Sequence, residues 1–373
     1  MHNLGLLKNA LEAFEKAITL RPNHARALSS KGNTLNELGK TDAAISAYQS
    51  AISIDPDYAE AYHNMSFAML NSGKLEEGIS LLEWRYKLDP KKYSRTFDAP
   101  SWDGVQSLKN KRLLVWGEQG PGDMVIWSSC FKFYASLGAK IVVEVPEKLV
   151  DIFKLSFPNL EIRTKVLTPK ISQDDFDYQI SMLTLFGYAC CAGKITETQA
   201  AYISPNPHRV AYWANRLANI SDKPCVGISW KSPIMNARRA KNYPELSYWE
   251  PVFENRHCTF INLQSTEFAN DLKKIACEFG TEVINFDDLD HYDNLSDVAA
   301  LSKALDLVIG VSTTVAMISA AVGTRTLIPT WKQSSWNNIV FTPRGPKTEV
   351  ICKNSWDAWT DVMTTIAKEV ALL

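Results

Sequence analysis

Three loops hold the residues that could do chemistry, and the first runs from Gly117 to Asp123. It lies between a predicted strand and a predicted helix, so its glycines let a ligand approach the backbone and the helix start offers unpaired N–H groups. The Asp123 carboxylate could take a proton from an attacking hydroxyl. An aspartate at such a turn is also a common helix cap, and the residues alone favour the cap. Gln119, Gly120 and Gly122 line the same turn.

A basic loop follows the predicted strand Cys225–Trp230. Four cations within eleven residues could neutralise a diphosphate leaving group without a metal ion. A basic run is usually a solvated surface. Because this run lies beside the predicted cleft, the functional interpretation and the surface interpretation carry equal weight. The four residues are Lys231, Arg238, Arg239 and Lys241.

The third loop, Ser312-Thr313-Thr314, joins the predicted strand Leu307–Val311 to the predicted helix Val315–Val322. Hydroxyls and N–H groups at a helix start suit a phosphate. A run of Ser and Thr is also an ordinary cap, and both interpretations can hold together.

The elements around these loops alternate between β-branched apolar runs and helical patterns from Lys111 onward. This alternation predicts βαβ units with parallel sheets in two consecutive lobes, joined by a hinge at Tyr202–His208. The cleft between the carboxyl ends of the two sets of strands is then the expected ligand site. The remaining predicted elements are the strands Arg112–Trp116, Lys140–Val145, Leu160–Arg163, Thr259–Leu263, Glu282–Asn285 and Thr326–Pro329 and a helix ending at Leu137.

A 34-residue period opens the chain. It is seen in four registers: Gly5, Gly39 and Gly73; Ala10, Ala44 and Gly78; Phe14, Tyr48 and Leu82; Pro22, Pro56 and Pro90. The segments between these positions read as paired amphipathic helices, for example Ala27–Leu38 and Thr41–Ile54, which resemble the tetratricopeptide repeat. The third copy departs from the pattern at Gly78 and Arg85, as a capping repeat that faces a different neighbour would.

The first repeat has little of its leading helix, so the apolar face of Leu6–Leu20 needs a cover. Self-association or a preceding segment would each supply one. The repeats could present a concave surface to a protein partner, or could serve only as a spacer or dimerisation arm.

Composition limits the classes of partner. The 373 residues carry 40 basic and 41 acidic side chains, so no bulk charge attracts nucleic acid or an anionic membrane. The seven cysteines are scattered without metal spacing, which predicts reduced thiols and no metal site. No signal peptide and no run long enough to span a bilayer is evident, so a cytoplasmic location is expected.

From Lys111 to the C-terminus the chain resembles the heptosyltransferase-like glycosyltransferases, glycosyltransferase family 9, which have the GT-B fold. The resemblance rests on Gly122-Asp123, on Lys241-Asn242-Tyr243-Pro244 with Trp249, and on Leu295–Leu301 leading into Gly310–Thr314. The combination with repeats is similar in architecture to O-GlcNAc transferase.

The resemblance implies roles for these residues. The aspartate matching Asp123 is the family's general base, and the lysine matching Lys241 contacts the donor. Donors in the family are nucleotide-diphosphate sugars, which serve as co-substrate, and transfer inverts the anomeric centre without a metal or a bound cofactor. Gln119, Gly120 and Gly122 would then shape the acceptor side. The donor side would comprise Lys231, Arg238, Arg239, Lys241, Ser312, Thr313 and Thr314.

Two positions depart from the family pattern. Ser312 stands where the family usually has an aspartate, and Met317 stands where it has a histidine. The sugar, the nucleotide and the acceptor therefore stay open, and the alternative is an inert binding or scaffold protein that keeps the fold.

The predicted organisation is helical repeats followed by an α/β pair of Rossmann-like lobes. Repeats occupy 1–90, a linker 91–110, an acceptor-side lobe 111–204 and a donor-side lobe 205–373. The expected partners are a nucleotide sugar, a protein acceptor on the repeats, and a second copy of the chain.

Overall fold

The computed structural model describes residues 2–88, 96–165, 170–171, 176–195, 201–232, 242–330, 347–353 and 359–373. It shows a helical N-terminal module followed by two parallel β-sheets with helices packed against them. Within these ranges, no helix is both long enough and apolar enough to cross a lipid bilayer.

The first five N-terminal helices pack in chain order, each against the next, and the short sixth helix packs against the fourth. Small residues allow this close approach, because a Cβ added to Gly32 would lie 2.6 Å from Cε1 of Tyr48. Gly39 and Gly73 follow two of the helices with φ of 78° and 84°, a conformation that favours glycine. The helices are α1 (His2–Leu20), α2 (Ala25–Glu37), α3 (Thr41–Ile54), α4 (Ala59–Asn71), α5 (Leu75–Leu82) and α6 (Arg85–Leu88).

The first sheet has four parallel strands in the order β4-β3-β2-β6. Its central strand β2 is buried from Leu113 to Trp116, as expected for a sheet covered on both faces. The strands are β2 (Arg112–Trp116), β3 (Lys140–Val145), β4 (Glu161–Thr164) and β6 (Tyr178–Ser181). The helices are α7 (Pro121–Trp127), α8 (Phe131–Ser136), α9 (Glu147–Ser156) and α10 (Met182–Cys191).

The segment that leads into this lobe is ordered against it. Two short strands, β1 (Thr96–Phe97) and β5 (Lys170–Ile171), pair in parallel. Further on, Trp102 N donates to Gln179 O and Gln179 N donates to Pro100 O, both at 3.0 Å. The segment thereby extends the edge of the first sheet beside β6.

The second sheet has six parallel strands in the order β12-β11-β10-β7-β8-β9. The strands are β7 (Cys225–Ser229), β8 (Thr259–Asn262), β9 (Val283–Ile284), β10 (Leu307–Gly310), β11 (Thr326–Thr330) and β12 (Thr348–Cys352). The helices are α11 (Pro207–Ala218), α12 (Glu250–Phe253), α13 (Ala269–Phe279), α14 (Leu295–Ala304), α15 (Thr314–Ala321) and α16 (Trp359–Val370).

One hydrophobic core joins all three modules. It runs from Ile79 and Leu82 of the repeats, through the first lobe, to Ala299 of α14 and Ile318 of α15. At the repeat side of this core, a Cβ added to Gly187 would lie only 2.3 Å from Cδ1 of Ile79. The repeats are therefore packed onto the first lobe as tightly as elements within a single domain.

Several elements of the structure were not predicted from the sequence, among them β6, α10, α11, β12 and α16. The strand β6 and the helix α10 that follows it form the apolar stretch 178–191, whose continuous hydrophobicity hides the change of period. The helix predicted to end at Leu137 is also interrupted, because a 3-10 turn at Ser128–Cys130 separates α7 from α8. The predicted hinge Tyr202–His208 is shorter in the structure than in the prediction. Asn206 caps α11, so that helix begins within the predicted hinge, and Tyr202 N donates to Ala321 O of the second lobe at 3.0 Å.

Candidate functional site

Asp123 sits at the third position of α7, directly after the glycine-rich turn that follows β2. Its Oδ2 accepts a hydrogen bond from Gly120 N at 3.2 Å. Pro121 begins the helix, where its missing N–H costs no hydrogen bond. The N-cap residue is Gly120, so Asp123 caps the helix from its third position, and this contact fixes the orientation of a half-buried carboxylate at the carboxyl end of the first sheet.

The two lobes touch at the glycine beside this aspartate. A Cβ added to Gly122 would lie 3.0 Å from Thr314 Cα and 3.3 Å from Thr314 Oγ1. Thr314 begins α15 at the carboxyl end of β10, so the structure brings the first and third chemical loops together. A side chain at position 122 would push against backbone, which accounts for glycine there.

The hydroxyl loop has one polar atom that no described residue satisfies. Thr313 is the N-cap residue of α15 and its side chain makes no capping hydrogen bond. Its Oγ1 is shielded from solvent and has no hydrogen-bond partner among the described residues. Ser312 is exposed and Thr314 is half-buried. A buried hydroxyl without a partner, at a helix start, is an arrangement that suits an anionic ligand.

Lys231 is paired with an acidic residue in this structure. Its Nζ lies 2.7 Å from Asp271 Oδ2 and donates to Glu267 O at 2.8 Å. Gln264 Oε1 accepts from the backbone N–H groups of Trp230 and Lys231, each at 3.1 Å. The lysine charge is therefore neutralised at the end of β7, and its role toward a donor stays a prediction.

The other three basic candidates, Arg238, Arg239 and Lys241, lie outside the described residues. Gln119 is half-buried and Gly120 exposed in the turn before Asp123. Within the described ranges, no group of three His, Cys, Asp or Glu side chains is arranged to hold a metal ion.

A buried ion pair beside this turn was missed by the sequence analysis. Arg85 of α6 donates from Nε and from Nη2 to the two carboxylate oxygens of Glu118, each at 2.9 Å. Glu118 lies in the turn that leads to Asp123. Nη2 also donates to Ser181 Oγ at 2.9 Å, and Nη1 donates to Leu82 O at 2.8 Å. Both charged side chains are nearly inaccessible, at 2% for Arg85 and 1% for Glu118.

The electrostatics of this pair are dominated by two opposing effects. Burial is the largest effect and alone would lower the pKa of Arg85, but Glu118, Tyr86 and Glu83 together outweigh it and raise that pKa above its ordinary value. The sequence did carry a signal, because Arg85 breaks the repeat pattern. Its partner Glu118 could not be predicted from the sequence, because Arg85 belongs to the repeats and Glu118 to the first lobe.

The motif Leu295–Leu301 contains a second buried carboxylate, Asp297. It accepts from Arg209 Nε at 2.7 Å and from Trp213 Nε1 at 2.9 Å. The motif therefore holds α14 against α11, and Asp297 is occupied by structural contacts.

Comparisons with known proteins agree with this architecture. Tetratricopeptide-repeat family models match residues 2–24 and 32–73. Protein FlbA of Caulobacter vibrioides is 30% identical over 282 residues, which are 71% of this chain and 47% of FlbA. The chain thus spans about half the length of that relative.

Solved structures match the α/β lobes. The glycosyl transferase family 9 protein of Veillonella parvula aligns over 67% of this chain and 88% of its own, with a TM-score of 0.52 and 10% identity. The chain joins tetratricopeptide repeats to a GT-B fold. The ADP-heptose lipopolysaccharide heptosyltransferase II of E. coli aligns over 70% of this chain with a TM-score of 0.49 and 13% identity.

The predicted repeats and the predicted GT-B fold are both confirmed. In this GT-B fold the lobes meet at Gly122 and Thr314, and a second contact joins them where Lys148 Nζ lies 3.0 Å from Asp293 Oδ1. At 10% identity to the family 9 structure the likeness establishes the fold. The reaction has to be argued from the site.

Proposed function

We propose that this protein is a nucleotide-sugar-dependent glycosyltransferase that inverts the anomeric centre without a metal ion. One observation carries the proposal: Gly122 and Thr314 bring Asp123 of one lobe to the helix start at Thr313 of the other. A carboxylate that can accept a proton then lies on one side of the cleft, and anion-binding groups lie on the other.

The proposed reaction is a single displacement. Asp123 takes the proton from an acceptor hydroxyl as that oxygen attacks the anomeric carbon. The bond from that carbon to the diphosphate oxygen breaks on the opposite face, so the centre inverts. The N–H groups at the start of α15 and the Thr313 hydroxyl stabilise the leaving diphosphate. Arg238, Arg239 and Lys241 supply positive charge to the same group, and Lys231 does so once it is released from Asp271.

The acceptor in this proposal is a protein held by the repeats. The support is positional, because Arg85 of the repeats contacts the turn that carries Asp123 through Glu118. A substrate held by the repeats is thereby fixed relative to the proposed base.

The second candidate is an inert binding protein, and two observations favour it. Met317 is only 4% exposed and belongs to the shared hydrophobic core, where the family has a polar residue. Lys231 is already paired with Asp271. Both would be expected of a cleft that has lost its donor.

The discriminating experiment is a screen of the full chain against UDP-, GDP-, ADP-, CMP- and dTDP-linked sugars. Differential scanning fluorimetry reads binding, and mass spectrometry of released nucleotide reads turnover. We expect one nucleotide class to raise the Tm, and the shift to be lost in Thr313→Val and kept in the remote variant Asp222→Asn. No shift with any donor and no released nucleotide would favour the inert protein.

A further inference from the structure

A cavity lies where the repeats meet the first lobe. Its volume is about 190 Å³, below the roughly 300 Å³ at which small-molecule ligand sites begin. It is large enough for one long side chain and too small for a nucleotide sugar. Its lining includes Glu83, Tyr86, Trp102, Asp103, Trp116 and Tyr188.

Four aromatic side chains supply much of this wall. The indole N–H of Trp102 donates to Gln106 O at 2.9 Å, and that of Trp116 donates to Gln179 Oε1 at 2.7 Å. The polar edges of both indoles are thus already engaged. Tyr86 and Tyr188 are half-buried beside them. The apolar part of the surface offered to an occupant is therefore largely aromatic carbon, and the polar part of the wall is about as large.

The charge of the lining is negative. Glu83 and Asp103 are its ionisable carboxylates, and among the described residues that line it there is no Lys, Arg or His. Glu83 also contacts Arg85, but Arg85 is balanced by Glu118 behind the wall. Two carboxylate charges are left over at the cavity.

Two pKa shifts agree with this charge. The N–H of Val105 is the main cause that lowers the pKa of Asp103, so that carboxylate is ionised at neutral pH. Burial first, and then the charges of Glu83 and Asp103, raise the pKa of Tyr188. Both carboxylates therefore act on the same ring in the wall.

A tight turn holds Asp103 in place. Gly104 has a φ of 87°, and an added Cβ there would lie 3.2 Å from Cδ2 and Cε2 of Tyr188. The turn is closed by Asp103 Oδ2, which accepts from Gln106 Nε2 at 2.7 Å. The carboxylate is thus pre-positioned, which lowers the entropic cost of binding.

We propose that this cavity binds the cationic side chain of a lysine or arginine in the acceptor protein. An ammonium or guanidinium group bound there is neutralised by the two carboxylates. The aliphatic stem packs on Trp102 and Trp116. Trp116 immediately precedes the turn Gly117–Asp123, so the bound side chain anchors the acceptor beside the proposed base.

The inference rests on the proposed function only in naming the acceptor as the source of the cation. The test is therefore a binding measurement that needs no turnover. The probes are the methylamides of Nα-acetyl-lysine and Nα-acetyl-arginine, with Nα-acetyl-norleucine methylamide as the uncharged match. The readout is the indole ¹⁵N–¹H signals of Trp102 and Trp116 in the full chain, assigned with Trp102→Phe and Trp116→Phe.

We expect the lysine or arginine probe to shift these two signals saturably. The Asp103→Asn variant should weaken binding severalfold, because it removes one of the two carboxylate charges that neutralise the cation. Asp222→Asn, which removes an exposed carboxylate in the other lobe, should leave binding unchanged. Raised salt should weaken it.

Equal shifts with the norleucine probe, no shift with either cationic probe, or shifts with a neutral hexose alone would each overturn the cation site. The same samples separate this inference from the proposed function. Saturable lysine binding without sugar transfer would contradict the proposed glycosyltransferase activity and support the cation-binding cavity. Transfer that persists without any probe binding would remove the cavity assignment alone.

Discussion

Asp123 has two tasks in this structure, because one side chain both caps α7 and supplies the proposed base. Its Oδ2 accepts from Gly120 N, so the carboxylate is held in one orientation. A residue chosen only as a cap could be replaced by another acceptor with little consequence. A residue chosen as a base could not.

The Asp123→Asn variant separates these tasks. The amide oxygen can still accept from Gly120 N, so we expect the Tm to change little. Sugar transfer should fall about 10²–10⁴-fold, because general-base catalysis contributes that much. The donor-induced Tm shift should persist. Initial rates of nucleotide release measure the loss, and turnover equal to the natural chain would rule out Asp123 as the base.

Gly122→Val tests whether the lobe contact matters. The new Cβ would meet Thr314 backbone at 3.0 Å, so α7 and α15 would have to separate. Overpacking of this kind costs about 1–3 kcal/mol, which urea unfolding can measure. The exposed neighbour Ser312→Ala should be nearly neutral. If valine leaves the free energy of unfolding unchanged, the contact between position 122 and Thr314 is not tightly packed.

At the scale of elements, the pair Arg85–Glu118 connects a helix of the repeats to the turn before Asp123. The structure surrounds Arg85 with Ser181 and Thr184 of the first lobe as well. Removing one partner leaves a buried charge without compensation, which is far more costly than losing an exposed ion pair.

Arg85→Met should therefore lower the free energy of unfolding by about 3–5 kcal/mol. The double variant Arg85→Met with Glu118→Gln should recover part of that loss, because no buried carboxylate charge remains. Urea denaturation of the two single variants and the double variant gives the coupling. Lys87→Met, which breaks an exposed pair with Asp57, is the control and should change little. Additive effects of the two single variants would show that the pair is not coupled.

A buried histidine in the segment before α14 makes stability depend on pH. His291 is 5% exposed, and burial lowers its pKa below the ordinary value despite its contact with Asn262 O. The unfolded chain then binds a proton more readily than the folded chain. Stability should be full above the unfolded pKa of about 6.5 and should be lost as the pH falls below it, by up to about 1.4 kcal/mol per pH unit.

Urea midpoints between pH 5 and pH 7.5 measure this slope. The His291→Gln variant cannot titrate there, so its profile should be flatter than that of the natural chain. Parallel profiles for the two proteins would assign the slope to other groups.

The elements also show what sequence reasoning reaches. Strands such as Arg112–Trp116 and Lys140–Val145 were predicted to the residue, because a run of five or six mostly apolar residues bounded by turn signals is too short for a typical helix. The strand β6 was missed, because it merges with the apolar helix α10. The juxtaposition of the first and third loops follows from parallel-sheet topology, whereas the Arg85–Glu118 pair depends on packing between modules, which no local pattern encodes.

At the scale of the whole molecule, the repeats and the first lobe share a core that includes Leu70, Ile79 and Phe186. A linker that merely tethered two domains would leave each with its own core. Here α5 packs directly on α10, with Gly187 giving room for Ile79. The repeats and the first lobe should then unfold together.

Hydrogen exchange tests whether the repeats and the first lobe unfold cooperatively. We expect amides of α5 and α10 to exchange with the same free energy of opening, since they belong to one cooperative unit. Ile79→Ala should lower both together by about 2–5 kcal/mol, because it opens a cavity in the shared core. Leu20→Ala, at a side chain that is 88% exposed, is the control. Protection in α10 that survives when α5 exchanges freely would show two independent units.

The segment before the first lobe is fixed to the sheet edge, because Trp102 N donates to Gln179 O and Gln179 N donates to Pro100 O. It removes the freedom of the repeats to swing on a tether. If the repeats hold an acceptor at one point, its reach to Asp123 depends on the length of its own backbone, at about 3.3 Å per extended residue. The protein would then modify the acceptor residue that lies at a fixed number of residues from the anchoring point.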